Sequence, residues 1–155
     1  MNQLIKKFSS KFSNCINNTI DFSKEEEIKI TSFIEEFPFL TKNKIYIEFL
    51  KTYSGLSYFN DQTDEDFTLF GFNNSGIVFG DQEVFDEPIL DNKGYLLFGH
   101  LSIPQNKKFI DFVFDQKNPN KIYLKQKTKE ETFDYHFVTD SFEEFLLKIY
   151  NQEIR

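Results

Sequence analysis

The chain has 155 residues, with 25 Asp and Glu against 18 Lys and Arg, a single Cys, 21 Phe and 7 Tyr. That length fits one domain with a core of its own, so neither a disulfide nor a metal staple is required; the lone Cys15 leaves no internal bridge and no Cys-x-x-Cys zinc pattern. The aromatic load excludes a disordered chain, and the net charge of −7 disfavours nonspecific attraction to nucleic acid.

In chain order, Leu4, Ile5, Phe8, Phe12, Cys15 and Ile16 recur at spacings of three and four. They predict an amphipathic first helix that stops at Asn17-Asn18, with Cys15 as a small core residue. Ser23 followed by Glu26 is a capping box. The helix it opens turns Ile30, Phe33, Ile34 and Phe37 to one face and is closed by Pro38. Thr41 is the expected cap of a third helix with Tyr46, Phe49, Leu50 and Tyr53 inward, and Gly55 sits where a left-handed cap belongs.

Beyond Gly55 the period falls to two. Strands are predicted at Phe67–Phe70, at Ile77–Phe79 after an Asn73-Asn74-Ser75-Gly76 turn, and at Tyr95–Phe98 after an Asn92-Lys93-Gly94 turn. In Phe109–Phe114 one face carries Ile110, Phe112 and Phe114, the other Phe109, Asp111 and Val113. Lys117-Asn118-Pro119-Asn120 is read as the turn into Ile122-Tyr123-Leu124, and Thr132–Val138 as a further strand. Ser141 with Glu144 forms a second capping box, after which Phe142, Phe145, Leu146, Ile149 and Tyr150 follow at helical offsets. The expected fold is α+β: N-terminal helices, a twisted, mostly antiparallel sheet of about five to six strands, and a C-terminal helix packed on it.

Charge is distributed unevenly. Asp61, Asp64, Glu65, Asp66, Asp81, Glu83, Asp86, Glu87 and Asp91 lie between residues 60 and 91, a window without Lys or Arg. From Gln105 to Lys129 seven lysines meet only Asp111 and Asp115. Such a run is more often a solvated surface than a site, but it also suits a face that selects a basic partner. Tyr58 and Phe59 beside the acids would add contact area. These two aromatics and the nine acids form the candidate partner-binding set.

The arrangement resembles the SUKH superfamily of bacterial toxin-immunity proteins and fungal regulators of glucan synthesis. Three places carry the resemblance: Tyr46-Ile47-Glu48-Phe49-Leu50-Lys51-Thr52-Tyr53-Ser54-Gly55; Tyr95–Gly99 with Phe109–Asp115 and Ile122-Tyr123; and Ser141-Phe142-Glu143-Glu144-Phe145-Leu146. It spans roughly Glu25 to Tyr150 within a single domain of residues 1–155, leaving an extra N-terminal helix in residues 1–20 outside. The resemblance implies a noncatalytic module that binds and neutralises a toxin domain, and the acidic charge suits a basic one such as a nuclease. A regulatory scaffold like the fungal relative is the alternative among binding proteins.

Catalytic chemistry finds little purchase. His100, expected at a strand end, and His136, expected on a sheet surface, are the only imidazoles, and neither has a nucleophile and orienting acid at triad spacing. The acids of Asp61–Asp66 lack calcium-loop spacing, and the six scattered glycines make no phosphate loop. A small hydrolase using paired carboxylates stays open as the reading from another class. No cofactor, metal, direct nucleic-acid contact or membrane span is expected, and the cytoplasm is the expected location, since no apolar run reaches the ~20 residues of a spanning helix and no signal peptide is seen.

Overall fold

The period-two segments join into one sheet. The computed structural model describes residues 1–12, 14–16, 24–53, 55–72 and 89–154. Its helices are α1 (Asn2–Lys11), α2 (Lys24–Glu36), α3 (Lys44–Thr52) and α4 (Phe142–Tyr150). Its strands are β1 (Asn14–Ile16), β2 (Leu56–Asn60), β3 (Glu65–Leu69), β4 (Tyr95–Ile103), β5 (Lys108–Asp115), β6 (Asn118–Lys127) and β7 (Phe133–Thr139). The seven strands lie in chain order, β1 to β7, and every neighbouring pair is antiparallel. The α+β expectation holds, with seven strands rather than five or six.

Alternation sets the core. Phe67, Leu101, Ile110, Phe112, Phe114 and Ile122 point to one face of the sheet and are buried under the helices. Phe145 of α4 meets Phe112 at 4.9 Å and Phe98 at 5.5 Å, both edge-on, an arrangement that aligns the positive ring edge with the negative ring face. Tyr46 of α3 lies 4.7 Å from Phe114 and 5.3 Å from Phe142. Phe8 of α1 stacks on Phe67 at 6.5 Å, so the first helix contributes to this same core.

Several local expectations change. The first helix ends at Lys11: Phe12 is extended, and Asn14, Cys15 and Ile16 pair with Phe59, Tyr58 and Ser57 of β2. Cys15 and Ile16 continue the helical spacing by coincidence, and pairing with β2 satisfies the backbone instead. The third helix is capped by Asn43 rather than Thr41, because Pro38–Lys42 is a 3-10 turn in which Thr41 Oγ1 donates to the Pro38 carbonyl at 2.8 Å. Asn43 is buried and bonded in both directions: its Oδ1 accepts from Tyr46 N at 3.1 Å and its Nδ2 donates to the Pro119 carbonyl at 2.8 Å.

Gly55 is no helix cap. Tyr53 ends α3 in extended backbone, and Gly55, at φ +107, lets β3 approach so closely that a Cβ there would lie 2.8 Å from the Leu69 carbonyl. The β5–β6 turn falls at Gln116-Lys117, one step earlier than expected, and Pro119 lies within β6 at a register shift, where a strand tolerates the missing N–H. The C-terminal capping box closes through an intermediary. Ser141 Oγ accepts from Glu144 N at 3.3 Å, but the Glu144 carboxylate accepts from Thr139 Oγ1 at 2.7 Å, and Thr139 Oγ1 accepts from Ser141 N at 3.2 Å. The Ser23–Glu26 box, the Asn17-Asn18 stop, and the expected Asn73–Gly76 turn and Ile77–Phe79 strand rest on residues outside those described.

Candidate functional site

The face of the sheet opposite the central core carries several exposed side chains, and cross-strand register lines them up in rows. In the first row Asn14 of β1 pairs with Phe59 of β2, Phe59 with Asp66 of β3, Asp66 with Ser102 of β4, and Ser102 with Phe109 of β5. Phe59 is 39% and Phe109 58% exposed, and Asp66 between them is exposed as well. Three strand spacings separate the two rings, about 14 Å at ~4.8 Å per strand. Beside the Phe59–Asp66 pair, the β2–β3 turn holds Asp61 and Asp64 at the surface, Asp64 in left-handed backbone at φ +53. Asn14 Nδ2 donates to Asp61 Oδ2 at 3.0 Å. Lys11, Phe12, Phe59, Asn60, Asp61 and Gln62 line a shallow recess of about 300 Å³ beside it.

The second row runs Ser57, Thr68, His100, Asp111, Lys125, Tyr135. His100 sits inside β4, not at a strand end as expected. Its ring stacks on Phe109 at 5.4 Å and meets Phe70 edge-on at 5.6 Å. Burial pushes its pKa below the ordinary 6.5, with the Asp66 carboxylate pulling the other way. His136 lies exposed on β7.

The far end of that row holds a buried ion pair. Lys125 Nζ lies 3.4 Å from Asp91 Oδ2, with the two side chains only 6% and 10% exposed. Tyr135 OH donates to the same carboxylate oxygen at 2.6 Å, and the Lys93 and Tyr95 N–H groups donate to Oδ1, both at 3.0 Å. The Tyr95 ring stacks on Tyr135 at 4.2 Å, and Lys125 Nζ sits 4.3 Å over Phe133. Burial alone would raise the Asp91 pKa, but the Tyr135 hydroxyl, the Tyr95 N–H, the Lys125 ammonium and the Lys93 N–H outweigh it and hold the carboxyl below its ordinary value.

Of the candidate set, then, Phe59 and Asp66 share a row, with Asp61 and Asp64 on the adjoining turn. Tyr58 and Glu65 do not join them: both are 2% exposed, on the opposite face, with Tyr58 OH donating to Glu65 Oε1 at 2.8 Å. Tyr58 stacks on Phe12 at 3.9 Å and on Phe67 at 5.1 Å. Asp91 belongs to the Lys125–Tyr135 cluster and is likewise turned from the surface. Asp81, Glu83, Asp86 and Glu87 lie outside the described residues. The signal for Glu65 was available: it shares strand parity with Phe67 and Leu69, so a carboxylate at that position faces inward. Phe109, predicted on the outer face of its strand, had no signal tying it to Phe59, because that link depends on the register of four strands.

Two exposed rings flanking a carboxylate, next to further acids, offer contact area for a partner and a charge that selects a cation on it. Among the described residues no group of three or more His, Cys, Asp or Glu is placed to hold a metal ion. Among them, too, no helix is long and apolar enough to cross a membrane. No family model, curated protein or solved structure matches the chain.

Proposed function

We propose that the protein is a noncatalytic binding module of the SUKH immunity kind, acting in the cytoplasm to dock a basic toxin domain and block its working surface. The observation that carries this reading is the Phe59–Asp66–Ser102–Phe109 row, in which exposed rings bracket an exposed carboxylate. Rings fixed on β2 and β5 of one sheet lose little entropy on binding and supply the buried area; Asp61, Asp64 and Asp66 supply the field that steers a positive partner. A nuclease domain, whose own surface must attract phosphates, is the target class that this charge suits.

The test uses the toxin domain encoded beside this gene. Asp64→Lys and Asp66→Lys should slow its association and flatten the salt dependence, because rim charges act through steering. Phe59→Ala and Phe109→Ala should speed dissociation, by about tenfold or more if the rings are central anchors. Lys127→Glu and Lys129→Glu, on exposed positions around the β6–β7 turn, are the controls. The proposal fails if no toxin gene adjoins, or if the lysine reversals abolish protection while the acidic and Phe variants leave it intact.

A further inference from the structure

Among the described residues β7 is the last strand on one side of the sheet. The hairpin before it is set by Thr128, whose N–H donates to the Thr132 carbonyl at 2.8 Å and whose carbonyl accepts from Glu131 N at 3.2 Å, with Glu131 at φ +60. Antiparallel ladders alternate bonded and non-bonded pairs. Counted from Thr128–Thr132, the peptide groups of Asp134 and His136 face Gln126 and Leu124 of β6, while those of Phe133 and Phe137 face the outer edge. The only shift in the β6–β7 register falls beyond Phe137, so residues 133–137 run straight.

Edges of this kind are normally blunted by lysine, proline, a bulge or short length. β1, the opposite edge, is three residues long. β7 has seven residues and neither Lys nor Pro, although β6 beside it carries Lys121, Lys125 and Lys127. Moreover, Phe133-Asp134-Tyr135-His136-Phe137 is complementary to itself read backwards: apolar opposite apolar, acid opposite base.

We propose that β7 is a self-association edge, at which two copies of the chain pair antiparallel about a twofold axis at residue 135 and join their sheets into one. In this register Asp134 lies opposite the partner's His136 and His136 opposite the partner's Asp134, on the side of the sheet that carries the helices. Phe133 lies opposite the partner's Phe137, and the converse, on the other side. Asp134 and His136 are exposed, the Phe137 ring is 57% exposed, and Phe133 and Tyr135 are half-buried. Phe137 already meets Tyr123 edge-on at 5.6 Å and would extend that aromatic line into the second copy. A single strand pair is a small interface, which places the dimer in the micromolar range. The edge is separate from the acidic tip of β2–β3, so this inference stands or falls independently of the proposed function.

The experiment is sedimentation velocity on the full chain from micromolar to submillimolar concentration. The wild type should dimerise. Asp134→Lys sets Lys against the partner's His136, and His136→Asp sets acid against acid, so each variant alone should weaken dimerisation by about tenfold or more. An equimolar mixture of the two should form a heterodimer of near wild-type affinity, because its interface then sets the introduced Lys opposite the introduced Asp and keeps one Asp134–His136 pair. The double variant Asp134→Lys/His136→Asp should dimerise with itself, which keeps the test valid if a single variant folds poorly. A wild type that stays monomeric, an Asp134→Lys chain that dimerises undiminished, or a mixture and a double variant that both fail to pair would overturn the proposal.

Discussion

Asp91→Asn is the sharpest probe of how this sheet handles charge. The substitution keeps the shape of the side chain, and Oδ1 can still accept from the Lys93 and Tyr95 N–H groups. What it removes is the negative charge, and with it the charge-assisted bond from Tyr135 OH at 2.6 Å and the 3.4 Å pair with Lys125. A hydrogen bond to a charged group contributes about 1.5–3 kcal/mol, and breaking a buried pair from one side costs about 3–5 kcal/mol. These overlap in one cluster and are not additive, so a loss of about 3 kcal/mol is expected from urea unfolding near neutral pH. Lys125→Met should cost less, because the carboxylate it leaves behind keeps its hydrogen bonds from Tyr135 OH and the Lys93 and Tyr95 N–H groups, and the two substitutions should couple by about 1 kcal/mol or more in a double-mutant cycle. The sign with pH is fixed. The folded carboxyl is held below its ordinary value of 3.8, so the wild-type advantage over Asp91→Asn is complete above that value and disappears as the pH falls through the lower folded one. An Asp91→Asn chain within 0.5 kcal/mol of wild type (about the scatter of ordinary surface substitutions), or a difference that persists unchanged into acid, would refute the account and return Asp91 to the list of surface acids.

The core gives two further predictions. Tyr46 OH is fully buried and lacks a hydrogen-bond partner, so Tyr46→Phe should raise stability by about 1 kcal/mol, read as a higher unfolding midpoint at an unchanged slope; a loss would mean that the hydroxyl is satisfied in solution. Phe145→Ala empties a position packed between Phe98 and Phe112 and should cost about 3–5 kcal/mol, whereas Ser141→Ala should cost about 1 kcal/mol, since Thr139 still ties Glu144 to the helix start. Equal losses from the two would show that the cap, and not the ring, anchors α4.

The sequence by itself determined which side chains face inward wherever one element has a single apolar face. The offsets in α4 and the parity of Ile110, Phe112 and Phe114 are properties of one helix and one strand, so they survive without knowledge of neighbours. Parity likewise separated Phe59 from Tyr58, although only the folded chain shows which of the two the core takes. Tertiary structure decided the rest. Residues 14–16 pair with β2 because hydrogen bonds to a neighbouring strand outweigh a weak local preference for helix. Phe109 joins Phe59 through the stacked registers of four strands. Asp91 and Tyr135, 44 residues apart, meet on one sheet face with Lys125, so the acidic and basic stretches partly neutralise each other within the molecule. A charge count along the chain cannot show this, because Coulomb energy depends on distance in space and on the surrounding dielectric, and both are set only once the strands have paired.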